Sequence, residues 1–513
     1  MLNSVNRSPL SLAWAPSDGE TAATGAKPVY FALLDERGEA GGNVSSARTA
    51  SRAFLSQQLE MAAALACDLP DDVRALSTWL EDGAQRAGRL YRAYLEGRKA
   101  GAPRRYFSSK SHALYFLKSV APTKLVDGAW LYGLLPRWND ARFASLIRIY
   151  LEELGEGVAE KNHVALYRKL LDSYGCEDWQ DLSDDRFVQG AIQLALAHHA
   201  ADFLPEVIGF NLGYEQLPLH LLITAYELDE LGIDPYYFTL HVTIDNAASG
   251  HARKSVQGVL DAMPRAAQMD EAFYRRVANG YKLNMLGVDT PSIIKSFDLT
   301  REVVATLVGK AAVGSQLHSD YCRVAGRTVN EWLGDPAQLP AFLSSLEQMG
   351  WIKRNQDPEE SRFWKLIHGE RAKMFGVFTA YEQQLIYDWI AGTPGREEGE
   401  PAAEARPGAV AFARRRRKAQ MSGLDANRPR AKAALDARGV IRGRASHHSA
   451  AADDFTAELR MLEEKLAALP SKEEMMAALI RLMSPAAHHT SAGLMATRIF
   501  TRLFGCRPET PVE

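Results

Sequence analysis

The chain has 513 residues, of which 46% are hydrophobic and 24% are charged, and its formal net charge is −3. This length predicts about two to four domains, and the composition supplies enough apolar surface for a large core. A nearly neutral chain carries no overall signature of nucleic-acid or membrane binding. The four cysteines lie far apart without a CxxC pair, which argues against a disulfide framework or a zinc ribbon and favours the reducing cytoplasm. The first residues show no secretory signal, and no apolar run of about 18 residues predicts a membrane span.

Helical periodicity dominates the chain from residue 49 to residue 395. Residues 1–48 lack this periodicity and are rich in Ser, Gly, Ala and Pro, so we predict a mobile segment there. The stretch KPVYFALLDE, residues 27–36, is the one short strand candidate. From Ala53 onward, apolar residues recur at the spacing of one face of an α-helix. The sequence therefore predicts an all-α fold.

Residues 396–452 have few large apolar side chains and many Pro, Gly and Ala residues. Between Arg406 and Arg444 this segment carries 12 Lys and Arg residues against two acidic residues. Such a composition cannot offset the entropy of ordering the chain, so we predict a disordered basic linker. The alternative function for the chain is a non-catalytic all-α scaffold, or a nucleic-acid-associated protein, that acts through residues 406–444. Nucleic-acid binding is nevertheless not the favoured prediction.

Residues 453–513 contain helical patterns that follow this linker. One of them begins with a capping box from Ser471 to Glu474, in which side chains satisfy free amide groups of the first turn. The last pattern ends near Gly505, a residue type that often terminates helices. These helices could pack on the body of the protein, on a partner or on another copy, so the sequence leaves a homodimer open.

Three segments place side chains that commonly bind metals on faces predicted to be buried. In the first, residues 141–171, Glu153 lies about 80° from the reference line of the apolar stripe and Glu152 about 180° away. Glu153 can therefore face inward, whereas Glu152 should be solvated. After a glycine-containing step, His163 lies on the apolar face of the resumed helix, which predicts a buried imidazole.

The second segment, PEVIGFNLGYEQLPLHLL, places Glu215 near the middle of a helical face. An unpaired buried carboxylate is costly, so Glu215 should be paired, protonated or bound to a cation. Pro218 should kink the helix after it. A lone histidine or glutamate on such a face is more often an ordinary core residue, so the prediction of a site depends on the combination of segments.

The third segment, YYFTLHVTIDNAASGHARKSV, places His241 and Asp245 one turn apart on a single helical face. On a regular helix His251 would point about 120° away from Asp245. Gly250 permits a break or a tighter turn that would bring His251 back toward Asp245. Buried carboxylates shared with imidazoles between helices suit non-haem iron or manganese, and a ligand set without thiolates argues against structural zinc.

These residues resemble the heme-oxygenase-like diiron oxidases and oxygenases, a family of iron-containing redox enzymes. The resemblance rests on the separation of Glu153 and His163, on Glu215 before the third segment, and on His241 and Asp245 as a His-x₃-Asp motif. It is strongest over about residues 105–290. In the family pattern the last histidine usually comes three residues after the aspartate, where this chain has Ala248, and His251 is the nearest candidate.

The resemblance implies a heme-oxygenase-like helical bundle, with accessory helices, that binds two Fe(II) ions per chain. The implied ligands, which are also the predicted catalytic residues, are Glu153, His163, Glu215, His241, Asp245 and His251. It further implies O₂, an external reductant and a small amine, amino-acid or acyl substrate, within the biosynthesis of specialised metabolites. We favour N-oxygenation over C–H or C–C cleavage, and we expect a chain without residues 396–513 to keep its iron.

Haem- or thiamine-related chemistry on the same bundle is a further alternative. His112 is the candidate for a proximal haem ligand, but haem binding would leave Glu153, Glu215 and Asp245 without a purpose. An arginine that anchors a carboxylate would favour amino-acid or acyl substrates, and the candidates are Arg104, Arg105 and Arg142. Candidates for hydrogen bonds that support the metal ligands are Tyr214, Tyr237 and Asn211.

Overall fold

The computed structural model describes residues 25–35, 43–264, 267–316, 318–392 and 449–505. Nearly all regular structure in these ranges is helical, which confirms the all-α prediction. The strands of the described ranges are the two-residue segments β1, Arg323–Val324, and β2, Arg327–Thr328. They form an antiparallel hairpin in which Arg323 pairs with Thr328.

Three helices precede the central bundle: α1 (Ala26–Leu34), α2 (Asn43–Ala63) and α3 (Leu76–Lys99). Helix α1 corrects two predictions. The strand candidate of residues 27–36 is mostly helical, and residues 26–34 pack against the body although a mobile segment was predicted there. Residues 1–24 and 36–42 of the predicted mobile segment lie outside the described residues.

A distant carboxylate explains why α1 forms. Asp184 accepts hydrogen bonds from the backbone N–H groups of Ala26, at 3.1 Å, and of Lys27, at 2.9 Å. These two groups belong to the first turn of the helix, where backbone donors have no partner within the helix. Tyr30 is fully buried, and its ring makes an edge contact with Phe187 at 5.2 Å between centroids. Capping and burial together therefore select the helix.

The central bundle comprises α4 (Lys110–Ser119), α5 (Ala121–Lys124), α6 (Ala144–Glu153), α7 (His163–Tyr174), α8 (Val188–His198), α9 (Leu204–Tyr214), α10 (Leu219–Glu230), α11 (Tyr236–Ile244), α12 (His251–Ala262) and α13 (Ala267–Lys282). Helix α9 packs against α12 and α13, and α6 packs against α12. Large side chains fill the space between these helices, and Trp130, Tyr150, Tyr167 and Phe210 are fully buried. The bundle thereby brings the ends of α6, α9 and α11 together.

Short 3₁₀ turns join many of the helices. They are Val73–Ala75, Ala129–Arg137, Ala141–Phe143, Gly155–Gly157, Ala159–Lys161, Asp178–Asp181, Asp184–Phe187, Leu283–Met285, Pro336–Gln338 and Pro358–Glu360. Accessory helices follow the bundle: α14 (Thr290–Lys295), α15 (Leu299–Gly314), α16 (Val329–Leu333), α17 (Leu339–Gln348), α18 (Arg362–Ile367) and α19 (Ala380–Ala391). Helix α19 packs on α4 and α15, so this part of the chain returns to the bundle.

The C-terminal helices are α20 (Ser449–Ala467), α21 (Lys472–Leu482) and α22 (Ser491–Gly505). Helix α22 packs on the 3₁₀ turn Gly155–Gly157, and α21 packs on the turn Ala129–Arg137. Of the three arrangements that the sequence left open, the structure has the one in which these helices lie on the body. Most of the predicted basic linker, residues 396–448, lies outside the described residues. Among the described helices, none combines the length and apolarity needed to cross a membrane.

Candidate metal centre

Seven acidic and histidine side chains meet inside the central bundle. They form a first group, Asp127, Glu153, His163 and His241, and a second group, Glu153, Glu215, Asp245 and His251. Within each group, one ligand atom from every residue lies within 4.8 Å of the others. All seven side chains are buried, and Glu153 belongs to both groups. The six residues predicted from the sequence therefore come together, and Asp127 joins them.

Glu153 and His163 face each other across a short connector, residues 154–162. Glu153 is the last residue of α6 and His163 is the first residue of α7. The ring of His163 touches the Glu153 carboxylate, and its Nδ1 lies 3.7 Å from Oδ2 of Asp127. Asn162 caps α7 through a 3.0 Å hydrogen bond from the backbone N–H of Ala165. This cap fixes where the helix begins and therefore where His163 lies.

Glu215 lies at the C-terminal end of α9. The helix ends at Tyr214, and the chain continues through Pro218, which precedes α10. The predicted kink is thus a complete interruption between two helices, because proline cannot donate a backbone hydrogen bond. Glu215 Oε2 lies 3.1 Å from Nδ1 of His251, which links the end of α9 to the start of α12.

A helix break returns His251 to the site. Helix α11 ends at Ile244, and Asn246 caps the following turn by accepting from the backbone N–H groups of Ala248, Ser249 and Gly250. A Cβ atom on Gly250 would lie 2.0 Å from the carbonyl oxygen of Ile244, so the turn requires glycine there. His251 then begins α12, with Nδ1 3.3 Å from Oδ1 of Asp245. The break expected at Gly250 therefore has the predicted effect on His251.

Asp127 is the residue that the sequence analysis missed. It lies between α5 and the turn Ala129–Arg137, and it accepts hydrogen bonds from the hydroxyl groups of Tyr214, at 2.8 Å, and Tyr237. Its Oδ2 lies 3.2 Å from Nε2 of His241. The segment TKLVDGAW has no helical periodicity that would direct attention to it. The available signal was an acidic residue inside an otherwise apolar run.

Burial opposes the negative charge of these carboxylates. It raises the pKa of Glu215, and it raises the pKa of Asp245 to about 7 even though the His251 ring lies beside that carboxylate. Burial also disfavours ionised Glu153, but attraction to His163 and the close approach of the His163 and His251 rings outweigh it, so the pKa of Glu153 falls to about 2. His163 is buried too, and Glu153 raises its pKa to about 10. Protonated imidazoles thus offset part of the buried charge, and a divalent cation would displace those protons on binding.

Several polar atoms of the site lack a hydrogen-bond partner among the described residues. They are both carboxylate oxygens of Glu153, both ring nitrogens of His163, one oxygen of Glu215 and one oxygen of Asp245. The contact between Glu153 and His163 is close but is not aligned as a hydrogen bond. Buried groups of this kind are normally satisfied, and a bound cation would satisfy them. Oxygen and imidazole nitrogen ligands are the set that iron and manganese accept, so the residues fit the implied iron.

In His241 and His251, the ring nitrogen that faces away from the other candidate ligands also has a partner. His241 Nδ1 lies 2.9 Å from the carbonyl oxygen of Tyr237, and because a carbonyl only accepts, Nδ1 carries the hydrogen and Nε2 is left for a cation. His251 Nε2 lies 2.9 Å from Oε2 of Glu152, which also pairs with Lys254. The expectation that Glu152 is solvated is therefore wrong, since its side chain is only 26% exposed. Such carboxylate and carbonyl partners orient metal-binding histidines.

Residues 114–285 match the family model described as iron-containing redox enzyme. This region belongs to that family. All seven residues of the two groups lie within the matched range, and the match confirms the heme-oxygenase-like resemblance. No curated protein matches the chain significantly, and no solved structure does.

The haem alternative does not suit the structure of this chain. His112 Nε2 lies 2.9 Å from the carbonyl oxygen of Ile294, and Nδ1 lies 3.2 Å from the hydroxyl of Ser108. The ring stacks on Phe297 with 4.4 Å between centroids. Both ring nitrogens of His112 are therefore engaged, and neither faces an open axial position.

A cavity of about 380 Å³ reaches the candidate metal centre from the side of His241 and Asp245. Its polar lining includes Lys124, Gln189, Gln216 and Asn284. None of the three candidate arginines lines this cavity: Arg104 donates to the carbonyl of Phe107, Arg142 pairs with Asp140, and Arg105 lies over the ring of Tyr106. The cation beside the site is Lys124, whose Nζ lies 3.0 Å from the hydroxyl of Tyr214 and 3.9 Å from Asp127.

Proposed function

We propose that this chain is an O₂-dependent, non-haem diiron oxygenase that oxidises the nitrogen of a small amine or amino acid. The observation that carries the proposal is the pair of buried ligand groups joined by Glu153. The first group would hold one Fe(II) and the second group another, and Glu153 belongs to both groups. The resemblance also supports a role in the biosynthesis of specialised metabolites.

Charge balance supports two divalent cations. The two groups contain four carboxylates, those of Asp127, Glu153, Glu215 and Asp245, together with three imidazoles. Ionised carboxylates and neutral imidazoles carry a total charge that two Fe(II) ions cancel. A buried cluster with this excess of negative charge would be strongly disfavoured without cations. A single Fe(II) would leave half of that charge uncompensated.

When bound, the two ferrous ions would supply O₂ activation and two electrons at a site with open coordination positions. The protein's own contribution is to hold the ligands in place. The hydroxyl groups of Tyr214 and Tyr237 fix both oxygens of Asp127, and Glu152 fixes the ring of His251. The surrounding aromatic side chains limit the entry of bulk water, which strengthens the electrostatic interactions within the site.

The amide side chains of the cavity support a nitrogenous substrate. Gln189 donates through Nε2 to the carbonyls of Leu283 and Leu286, and Gln216 donates through Nε2 to Leu212. Asn284 likewise donates through Nδ2 to the backbone carbonyls of Phe210 and Tyr281. Because carbonyls only accept, these contacts fix each amide with its nitrogen toward the backbone, which leaves the amide oxygens as the acceptors available to a ligand. Acceptors of this kind suit the N–H groups of an amine.

Lys124 supports an acidic group on the same substrate. Its ammonium group lies on the cavity wall beside the site, with a side chain that is 16% exposed. A carboxylate could share this cation with Asp127, because the ammonium group has three hydrogens to donate. The cavity volume of about 380 Å³ lies in the range of small-molecule sites. An amino acid therefore suits this cavity better than a long acyl chain.

The proposed reaction balances with an external reductant. One oxygen atom of O₂ forms a bond to the substrate nitrogen, which becomes a hydroxylamine, and the other oxygen leaves as water. Two electrons from the reductant and two protons complete the water, while the hydrogen displaced from the nitrogen ends on the new hydroxyl group.

The test begins with anaerobic loading of the full chain with Fe(II) and measurement of iron per chain. We expect about two tightly bound ions and an O₂ uptake that amines or amino acids accelerate. Isotopically labelled O₂ should place one labelled oxygen in a hydroxylamine product. Fatty acids serve as the comparison substrates, and acceleration by fatty acids alone would contradict the N-oxygenation proposal. Failure to bind iron above a trace would contradict the whole proposal.

A further inference from the structure

The C-terminal helices lie directly on the connector that separates Glu153 from His163. Gly157, in this connector, has φ of 81°, and a Cβ atom on it would lie 2.4 Å from the carbonyl oxygen of Leu494 in α22. The guanidinium group of Arg498 donates to the carbonyl of Gly157 at 3.4 Å. The backbone of α22 thus touches the backbone of the connector, an approach that only glycine permits.

A second contact joins the same region to the end of α6. The hydroxyl of Tyr150 donates to the backbone carbonyl of Met483 at 2.6 Å, and both residues are fully buried. Tyr150 lies one turn before Glu153 on α6. The segment after α21 is therefore fixed to the helix that carries the shared carboxylate.

The third contact reaches His163 most directly. Asn162, which is fully buried, caps α7 with Oδ1 and donates through Nδ2 to the carbonyl of Leu154 at 3.3 Å. The same Nδ2 lies 3.1 Å from Nδ1 of His488, which is 1% exposed. Because the amide nitrogen is the donor, Nδ1 of His488 is the acceptor. One asparagine thus connects the end of α6, the start of α7 and the C-terminal segment.

We infer that α21, α22 and the segment between them are a positioning element for the metal centre, in which His488 fixes His163 by holding Asn162. This inference rests on the proposed function. His488 does not touch a ligand, so it is a positioning residue that acts through Asn162. The contacts also argue against the expectation that a chain without residues 396–513 keeps its iron unchanged.

The experiment replaces His488 in the full chain and measures affinity for Fe(II) by anaerobic titration. His488→Asn keeps an acceptor oxygen near the position of Nδ1, whereas His488→Gln moves the acceptor to the position of Nε2. We expect His488→Gln to weaken binding of one Fe(II) about tenfold and His488→Asn to restore most of that loss, since partners that orient ligands contribute about 10–100-fold to metal affinity. The Co(II)-loaded protein should show an altered visible spectrum in His488→Gln only.

His489→Gln is the matched control, because His489 is adjacent in the chain and no contact joins it to Asn162 in the described residues. We expect its Fe(II) affinity and Co(II) spectrum to match those of the unmodified protein. A loss of the same size in His489→Gln would overturn the inference, since it would reflect general disturbance of the segment. Equal affinities for His488→Gln and the unmodified protein would overturn it as well.

The unmodified chain separates this inference from the proposed function. If it binds about two Fe(II) ions and the His488 variants bind them equally well, the positioning role is wrong and the diiron proposal stands. If the unmodified chain binds no Fe(II), the proposed function is wrong, and with it the positioning role toward iron.

Discussion

Two buried regions of this bundle differ in the hydrogen-bond donors that they offer to a carboxylate. Glu227 of α10 is fully buried, and its oxygens accept from the hydroxyl of Tyr94 at 2.8 Å and from the backbone N–H groups of Tyr106, at 3.0 Å, and Phe107, at 2.9 Å. The backbone N–H of Arg105 is a further donor. These donors satisfy the carboxylate locally, so Glu227 holds the chain before α4 in place.

Glu153 and Glu215 of the candidate metal centre are not satisfied in this way. Glu153 is also buried, yet neither of its oxygens has an aligned hydrogen bond among the described residues. One oxygen of Glu215 likewise has no hydrogen-bond partner there. Nearby groups are other carboxylates and imidazoles rather than backbone donors. Burial alone therefore does not distinguish Glu153 from Glu227, whereas burial combined with missing donors does, and it makes Glu153 and Glu215 candidate metal ligands.

A glutamate-to-glutamine substitution should have different effects in the two regions, and the largest effect is expected at Glu153. Glu153→Gln removes a ligand of both groups, so we expect iron per chain to fall from about two toward zero and O₂ uptake to fall by more than about 100-fold. The helical content of the metal-free protein should change little. Iron analysis, oxygen-electrode rates and circular dichroism provide the measurements. Normal turnover in this variant would remove the distinction between the two regions.

His251→Ala sharpens the comparison within the metal centre. His251 belongs only to the second group, so we expect one Fe(II) to be lost and one to remain. Iron analysis after gel filtration measures the stoichiometry. Two retained ions would exclude His251 as a ligand, and complete loss of iron would show that the two groups are not separable.

Glu227→Gln should have the opposite result to Glu153→Gln. The new amide nitrogen would face backbone donors and leave at least one without an acceptor, which lowers the free energy of unfolding by about 2–3 kcal/mol. Iron per folded chain should stay at about two. Chemical denaturation and iron analysis of the same samples check both parts. Unchanged stability would show that the contacts of Glu227 do not support the fold.

The smallest expected effect is that of Glu152→Ala. Glu152 orients His251 without belonging to either group, so its loss should weaken binding of one Fe(II) about tenfold. The matched control is Glu160→Ala, because Glu160 is exposed on the connector. Competition with a coloured chelator measures both affinities. Equal effects of the two substitutions would show that the change in Fe(II) affinity comes from net charge alone.

The sequence predicts most of the candidate site because most of these side chains follow periodic helical patterns. Glu153, His163, Glu215 and His241 each follow from a helical face that the apolar pattern defines. Asp127 could not be found in this way, since it lies in a turn whose position depends on Tyr214 and other distant residues. Local patterns identify ligands on helices, whereas ligands on turns require the tertiary contacts.

The errors in the fold have the same origin. The short apolar run of residues 27–36 predicts a strand, whereas Asp184, which is distant in the chain, caps the donors of the first turn of α1. Glu152 was placed in solvent because the rotation of an isolated helix does not include α12, which carries Lys254 beside it. In both cases the deciding partner lies far away in sequence.

The turn of residues 246–250 has a kinetic consequence. It makes α12 start at His251, so a turn rather than a continuous helix joins His251 to Asp245. The connector between Glu153 and His163, by contrast, is covered by α22, which packs on it. We therefore expect a chelator to extract iron in two phases. The fast phase should come from the second group, which contains His251, and the slow phase from the first group, which contains His163.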